Sequence, residues 1–288
     1  IHNVEGELKK RGHNLPVYFG NRNWHPFGTA TAEKMAEEGI RNVAVFATSA
    51  WGGYSACRQY DEDIAAMRQH LADKGLPEIE FTKIRQFYDH PKFIAEMVDA
   101  VAEAWQRIPA EKMDSARMLF TAHSVPNAHD NVGGADGDKN LYSRQVAEAS
   151  RLVAERAGIS DYDLVWQSRS GNPKTPWLEP DIVDHTTAIH DRDGVDAVVV
   201  CPIGFISDHM EVIWDLDSEL QAAADEMGVQ VERARTAGPS QRFAGMIVDL
   251  VEELEQRQPW ETSGNVTVQG CTTNGAPCAA GCCDIRAH

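Results

Sequence analysis

The chain has 288 residues (31.8 kDa) and a formal charge of −17, with no basic stripe to offset it, which argues against a nucleic-acid partner. No run approaches the roughly 18 to 20 apolar residues of a membrane-spanning helix, and the opening Ile-His-Asn-Val-Glu is no secretory signal. Composition and length describe a soluble globular protein large enough for one large or two ordinary domains, and its clustered cysteines lead us to expect it in the cytoplasm.

The apolar periodicity predicts a helix over 4–11, a strand over 15–19 and a helix over 30–38 that stops at Gly39. A strand over 43–47, a helix over 60–74 stopping at Gly75, a strand over 79–84 and a helix over 91–107 follow, with Pro91 in its first turn. Residues 109–114 read as a linker. Beyond it come strand 117–122, helix 141–157, strand 164–167, helix 182–192, strand 197–201, an acidic helix, strand 229–234 and helix 241–256. Such alternation predicts an α/β fold of two similar doubly wound, Rossmann-like parallel-sheet lobes, 1–110 and 111–258, with a cleft between them. Three strands precede the linker and four follow it, so the two lobes match if a leading strand of the first is missing. Residues 259–288 are polar, Gly-rich and aperiodic, too poor in apolar groups to form a core alone.

The β-branched run Val198–Val200 breaks at Pro202 and Gly204 and restarts as a helix carrying Glu211, Asp215 and Glu219 at four-residue steps. Carboxylates at that spacing repel by a few tenths of a kcal/mol per pair, roughly. A locally wider π turn would align them better than a regular helix. The plain reading is a solvated acidic face. Against it stand the apolar lead-in, His209 and Trp214 beside the row, and the position after a strand end, where α/β proteins place ligands. His123 lies just past strand 117–122, in a loop stiffened by Pro126, and an imidazole there suits proton transfer near neutral pH. A hydrogen-bonded loop histidine is the alternative.

The stretch 166–180 combines Trp166, Trp177, Arg169, Lys174 and several hydroxyls, chemistry suited to a large flat ligand bearing carboxylates. A surface loop with Trp177 as a core plug is the bland reading. Loops 21–27 and 47–60 are also rich in aromatics. Of six cysteines, Cys57 lies in the second loop, Cys201 in a buried strand, and Cys271, Cys278, Cys282 and Cys283 crowd the tail. Clustered thiols in a large chain point to a metal or iron–sulfur site rather than a disulfide framework.

The segments Asn-Arg-Asn-Trp (21–24), His-Ser-Val-Pro (123–126), Gln-Ser-Arg with Trp-Leu-Glu-Pro (167–169 and 177–180), and Ser-Asp-His-Met-Glu (207–211) stand in the order of the ferrochelatase family, which the chain resembles over nearly its whole length. The resemblance implies insertion of Fe²⁺ into a porphyrin, with His123 at the insertion point, Glu211 across the porphyrin face, and Asp215 and Glu219 handling metal or protons. It implies substrate contacts from Tyr60, Trp51, Arg169, Trp177 and Ser124. It further implies a [2Fe–2S] cluster on Cys57, Cys278, Cys282 and Cys283, with Cys271 able to replace one of them, zinc being the alternative occupant. The tail and the first loop look actinobacterial, which implies coproporphyrin III rather than protoporphyrin IX as substrate, and a monomer. The family's N-terminal strand, with its Gly-rich loop, is then expected before Ile1. A sirohydrochlorin-type chelatase and a non-catalytic porphyrin or cluster binder remain as rivals.

Overall fold

The computed structural model describes residues 1–256, 262–264 and 278–284. Among the described residues six strands form two sheets, all pairings parallel: β1 (Asn42–Val45) with β2 (Glu80–Lys83), and a four-stranded sheet in the order β4-β3-β5-β6. These are β3 (Ala116–His123), β4 (Tyr162–Gln167), β5 (Ala197–Cys201) and β6 (Gln230–Arg233). β5 is buried from end to end, as its β-branched run requires of a central parallel strand covered on both faces. Its side chains alternate between two cores. Ala197, Val199 and Cys201 pack with Met118, Phe120 and Trp166 beneath helices Pro91–Trp105, Leu141–Ala157 and Gln241–Gln256. Val198 and Val200 pack with Leu119 and Val165 on the opposite face, under helix Ile182–Asp193 and the acidic helix.

The strand expected over 15–19 is not one. Pro16 has no N–H to give a ladder, and the segment runs extended without a paired neighbour among the described residues, leaving Leu15 and Phe19 43% and 48% exposed. It is fastened by the Thr31 hydroxyl donating to the Phe19 carbonyl (2.8 Å), by Tyr18, which donates to Glu38 and packs on the core that includes Ile79 and Phe81, and by a bridge between Asn21 and Phe27. The first sheet therefore has two described strands, not three, whereas the four strands expected after the linker are all present. Residues 109–114, expected as a linker, hold a short 3₁₀ turn (Ala110–Ser115). The apolar core does not break there: Trp51, Ile84 and Phe87 from the first sheet's side share one cluster with Met118 and Phe120.

Helix Pro91–Trp105 crosses this shared core and starts at a buried histidine. His90 Nδ1 accepts the Lys92 backbone N–H at 3.2 Å, so the ring caps the helix in its neutral form. Burial, reinforced by the Arg85 guanidinium and by Lys92 against the weaker pull of Asp249, holds its pKa down to about 4. Below about pH 6.5 the unfolded chain takes up a proton that the folded chain refuses until about pH 4, so stability falls as pH drops through that window. Urea midpoints measured from pH 7 to 4 should decline more steeply for the wild type than for His90→Asn, which keeps a capping acceptor but does not titrate.

Candidate active site

β3 runs one residue further than its apolar pattern suggests and ends on His123 itself. The next residue is drawn across to β4: Ser124 N–H donates to the Gln167 carbonyl at 2.7 Å. This brings the Ser124 carbonyl onto His123 Nδ1. A carbonyl only accepts, so Nδ1 carries the hydrogen and Nε2 is left as the open nitrogen. Nε2 lies 3.7 Å from Glu211 Oε1, with the two side chains 34% and 56% exposed. An imidazole–carboxylate contact this exposed adds little stability. Its interest is chemical, because the open imidazole nitrogen and a carboxylate converge on one accessible point.

Glu211 is placed by its helix. The acidic helix runs as a regular turn (Met210–Trp214), a π turn (Asp215–Leu220) and a regular helix (Gln221–Met227). The wider turn anticipated from the carboxylate spacing is there, and the Ser218 hydroxyl reaches back five residues to the Ile213 carbonyl. Donors from neighbouring elements meet the middle of the row and two acids beside it. Asp215 accepts from Gln167 Nε2 at 3.1 Å and from the Ser168 hydroxyl, and Gln167 is itself held by the Thr121 hydroxyl at 3.2 Å. Ser168 adopts φ +64°, a left-handed conformation rare outside glycine, which turns its hydroxyl onto that carboxylate. Arg233, at the end of β6, grips Asp217 at 2.6 Å and Asp208 at 2.9 Å. Glu219 lies further along, exposed. His209, beside the row, stands at the helix start without a side-chain capping bond, its ring edge-on to Phe205.

Two expected substrate contacts sit elsewhere than expected. Trp51 is buried between Tyr88 and Phe93, and its indole N–H donates to the Gly204 carbonyl at 3.0 Å, joining the loop after β1 to the loop after β5. Ser124 is also buried, its hydroxyl donating to the Leu178 carbonyl at 2.8 Å. Both side chains are consumed in building the walls. Tyr60 is half-buried, bonded to the Thr48 hydroxyl at 3.2 Å and covered by the Arg22 guanidinium. Arg169 is exposed and held by the Pro173 carbonyl at 2.9 Å, with Glu179 at 3.6 Å. Trp177 is half-buried, and its indole nitrogen is enclosed without a hydrogen-bond partner among the described residues.

Cys57, in a π turn (Tyr54–Arg58), packs with Cys282, Cys283 and Leu141, with Cys278 against them. The tail is pinned by Cys283 N–H donating to the Val132 carbonyl at 2.9 Å. Cys282 and Cys283 sulfurs are 3.6 Å apart, and the hydrogen bond between them, burial and the nearby Cys278 and Cys57 push the Cys283 thiol strongly up. Donors aim at the sulfurs: Lys83 Nζ at Cys57 (3.2 Å) and the Gly134 N–H at Cys282 (3.3 Å). Four soft ligands with N–H groups turned onto sulfur have the chemistry of an iron–sulfur ligand set. As they stand, no three His, Cys, Asp or Glu among the described residues are arranged around a single metal ion. Cys271 lies outside the described residues. Cys201 is buried in β5, where burial drives its thiol strongly up.

Sequence reasoning passed over Lys83, Thr121 and Arg233, none of which carries a local signal, since each acts on a group distant in the chain. A cavity of ≈ 540 Å³ elsewhere, beside Glu7, Lys10, Lys92 and Arg242, has no part in this site, and its three cations are all ion-paired.

Parallel sheets with an imidazole and a carboxylate meeting at the strand ends define a chelatase-type α/β protein. SirB from Bacillus subtilis, solved with Fe³⁺, matches 90% of this chain and 91% of its own at TM-score 0.57 and 15% identity, and the sirohydrochlorin chelatase SirB with cobalt matches at TM-score 0.55; both likenesses concern the fold alone. The ferrochelatase family model matches residues 1–255, and the chain belongs to that family, whose members are porphyrin metal chelatases. It is 56% identical over 288 residues to the coproporphyrin III ferrochelatase of Corynebacterium glutamicum, covering all of this chain and 77% of the relative. The proteins of the same name from Corynebacterium diphtheriae (54%, 98% and 78%) and Mycolicibacterium smegmatis (51%, 97% and 81%) are similar.

Gly204 brings the loop after β5 tightly against β3. A Cβ there would lie 2.5 Å from Ala122 Cβ and 2.6 Å from Ala122 Cα, next to His123. Gly204→Ala should lower stability by about 1–3 kcal/mol through overpacking, read as a reduced urea midpoint.

Proposed function

We propose that the protein inserts Fe²⁺ into coproporphyrin III to give coproheme III. The observation that carries this reading is the 3.7 Å approach of His123 Nε2 to Glu211 Oε1 at the strand ends, in a chain whose relatives at 50% identity and above are named for that activity. Insertion removes the two pyrrole protons and strips the incoming metal of its water. Both tasks need groups with free lone pairs in reach of the macrocycle's centre. With Nδ1 committed to the Ser124 carbonyl, His123 offers Nε2 alone, as a base or as a ligand. Glu211 offers its carboxylate to the same point from the acidic helix, where it steadies an imidazolium once a proton has been taken. The 3.7 Å separation leaves no room for a ring between the two, so Glu211 works from the same face of the macrocycle as His123 and not across it.

Asp215 is a fixed acceptor, oriented by Gln167 and Ser168, and Glu219 stands at the exposed end of the row. The row runs from exposed Glu219 through half-buried Asp215 to Glu211 beside His123, and can pass hydrated metal toward the histidine or protons away from it. Arg169, Tyr60 and Trp177 are the candidate substrate contacts, the cation for a propionate and the rings for the macrocycle. Cys57, Cys278, Cys282 and Cys283 would hold a [2Fe–2S] cluster, which supplies a one-electron centre and a cross-link between the tail and the loop after β1. No described helix is long and apolar enough to cross a membrane. The reading adopted is a cytoplasmic monomer, organised as lobes 1–110 and 111–258 with a cluster-binding tail.

Anaerobic assays with Fe²⁺ and coproporphyrin III, followed by the change from free-base to metalloporphyrin absorption, test the reaction. Turnover should exceed that with protoporphyrin IX, and His123→Ala should lose about 10²–10⁴-fold. Glu211→Gln, which keeps the shape but not the charge, should lose activity while still binding porphyrin. Binding without metallation by the wild-type chain would instead favour the non-catalytic reading, and equal turnover with protoporphyrin IX would remove the substrate assignment.

A further inference from the structure

We propose that Lys83 is a positioning residue that tunes the iron–sulfur site, its ammonium seated on the Cys57 sulfur so as to raise the reduction potential of the group bound there. This rests on the cluster reading above. Lys83 is the last residue of β2 and is only 15% exposed as a side chain. Its ammonium reaches Cys57 Sγ at 3.2 Å, the Cys57 carbonyl at 3.3 Å and Asp61 Oδ1 at 2.7 Å. Three acceptors for three N–H bonds fix the head group in one orientation. A lysine serving only a surface ion pair with Asp61 would have no need to thread back to the Cys57 sulfur and carbonyl.

The other sulfurs carry donors of their own, the Gly134 N–H on Cys282 and the Arg58 guanidinium beside Cys278. Two ferric ions, two sulfides and four thiolates make an anion that becomes more negative on taking up an electron. Fixed cations and N–H···S bonds therefore stabilise the reduced form more than the oxidised one. Lys83 adds a full charge and a direct hydrogen bond to one and the same sulfur, that of Cys57. It also stands on a strand, so its distance to the cluster is set by the sheet rather than by the tail.

The test uses the full chain purified anaerobically, with iron and sulfide content, visible absorption and the EPR signal after dithionite titration through redox mediators. Lys83→Met and Lys83→Gln should keep their iron and sulfide but show a lower midpoint. The ratio of reduced to oxidised cluster at fixed potential should fall about tenfold, equivalent to about 59 mV for one electron. Lys83→Arg should recover most of the shift. A wild-type chain without iron and sulfide would remove the cluster and this assignment together. A wild-type cluster whose midpoint is unmoved in both neutral variants would remove the Lys83 assignment alone. Loss of iron from both neutral variants would also overturn it, since the residue would then be holding the site together rather than tuning it.

Discussion

The site depends on how β3 ends. Because Ser124 hydrogen-bonds across to Gln167, the backbone after His123 turns onto β4 and delivers a carbonyl to the histidine's Nδ1. That single contact chooses the tautomer, aims Nε2 away from the sheet, and makes the histidine useful either as a base or as a ligand. The same crossing brings Gln167 and Ser168 onto Asp215, so one backbone event orients groups on three elements. Carbonyl, amide and hydroxyl dipoles held in this way need no reorganisation when charge develops on the imidazole.

The acidic helix shows how a locally unfavourable pattern is made tolerable. Glu211, Asp215 and Glu219 would repel in an isolated helix, and a π turn is itself uncommon. Here the helix is anchored through Val212, Leu216 and Leu220 in the core beneath it. Burying such side chains is worth about 1.5–3 kcal/mol each, well above a few tenths per carboxylate pair. The apolar face therefore decides that a helix forms. The polar face is then free to serve chemistry, with Arg233 holding Asp208 and Asp217.

Two links tie the sheets together at the site. The Trp51 indole spans from the loop after β1 to the Gly204 carbonyl, and the Gly52 N–H meets Gln145 Oε1 at 2.5 Å. Gly52 and Gly204 allow both approaches, since a Cβ on either would lie under 3 Å from a neighbour. A shared core including Phe87, Phe93 and Phe120 lies behind them. The distance between the β1 loop and the His123–Glu211 pair is thus set by packed aromatic groups, which resist deformation.

Much of the architecture could be read from the residues. The alternation of periods, the fully apolar run at β5, the caps at Gly39 and Gly75 and the motif order pointed to parallel α/β sheets and to His123 and Glu211. The carboxylate spacing even called for a wider turn. These features are local, decided by backbone sterics and side-chain periodicity within a few residues. The missing ladder at 15–19 was not legible in the same way, because a strand exists only through a partner's hydrogen bonds. Nor was the burial of Trp51 and Ser124, whose residue types suit a ligand contact as well as a wall. The 3.7 Å meeting of His123 and Glu211, and the seat of Lys83 on Cys57, join groups 88 and 26 positions apart. Nothing in a linear pattern sets such distances. They follow from strand register and helix packing, and only the tertiary structure decided them.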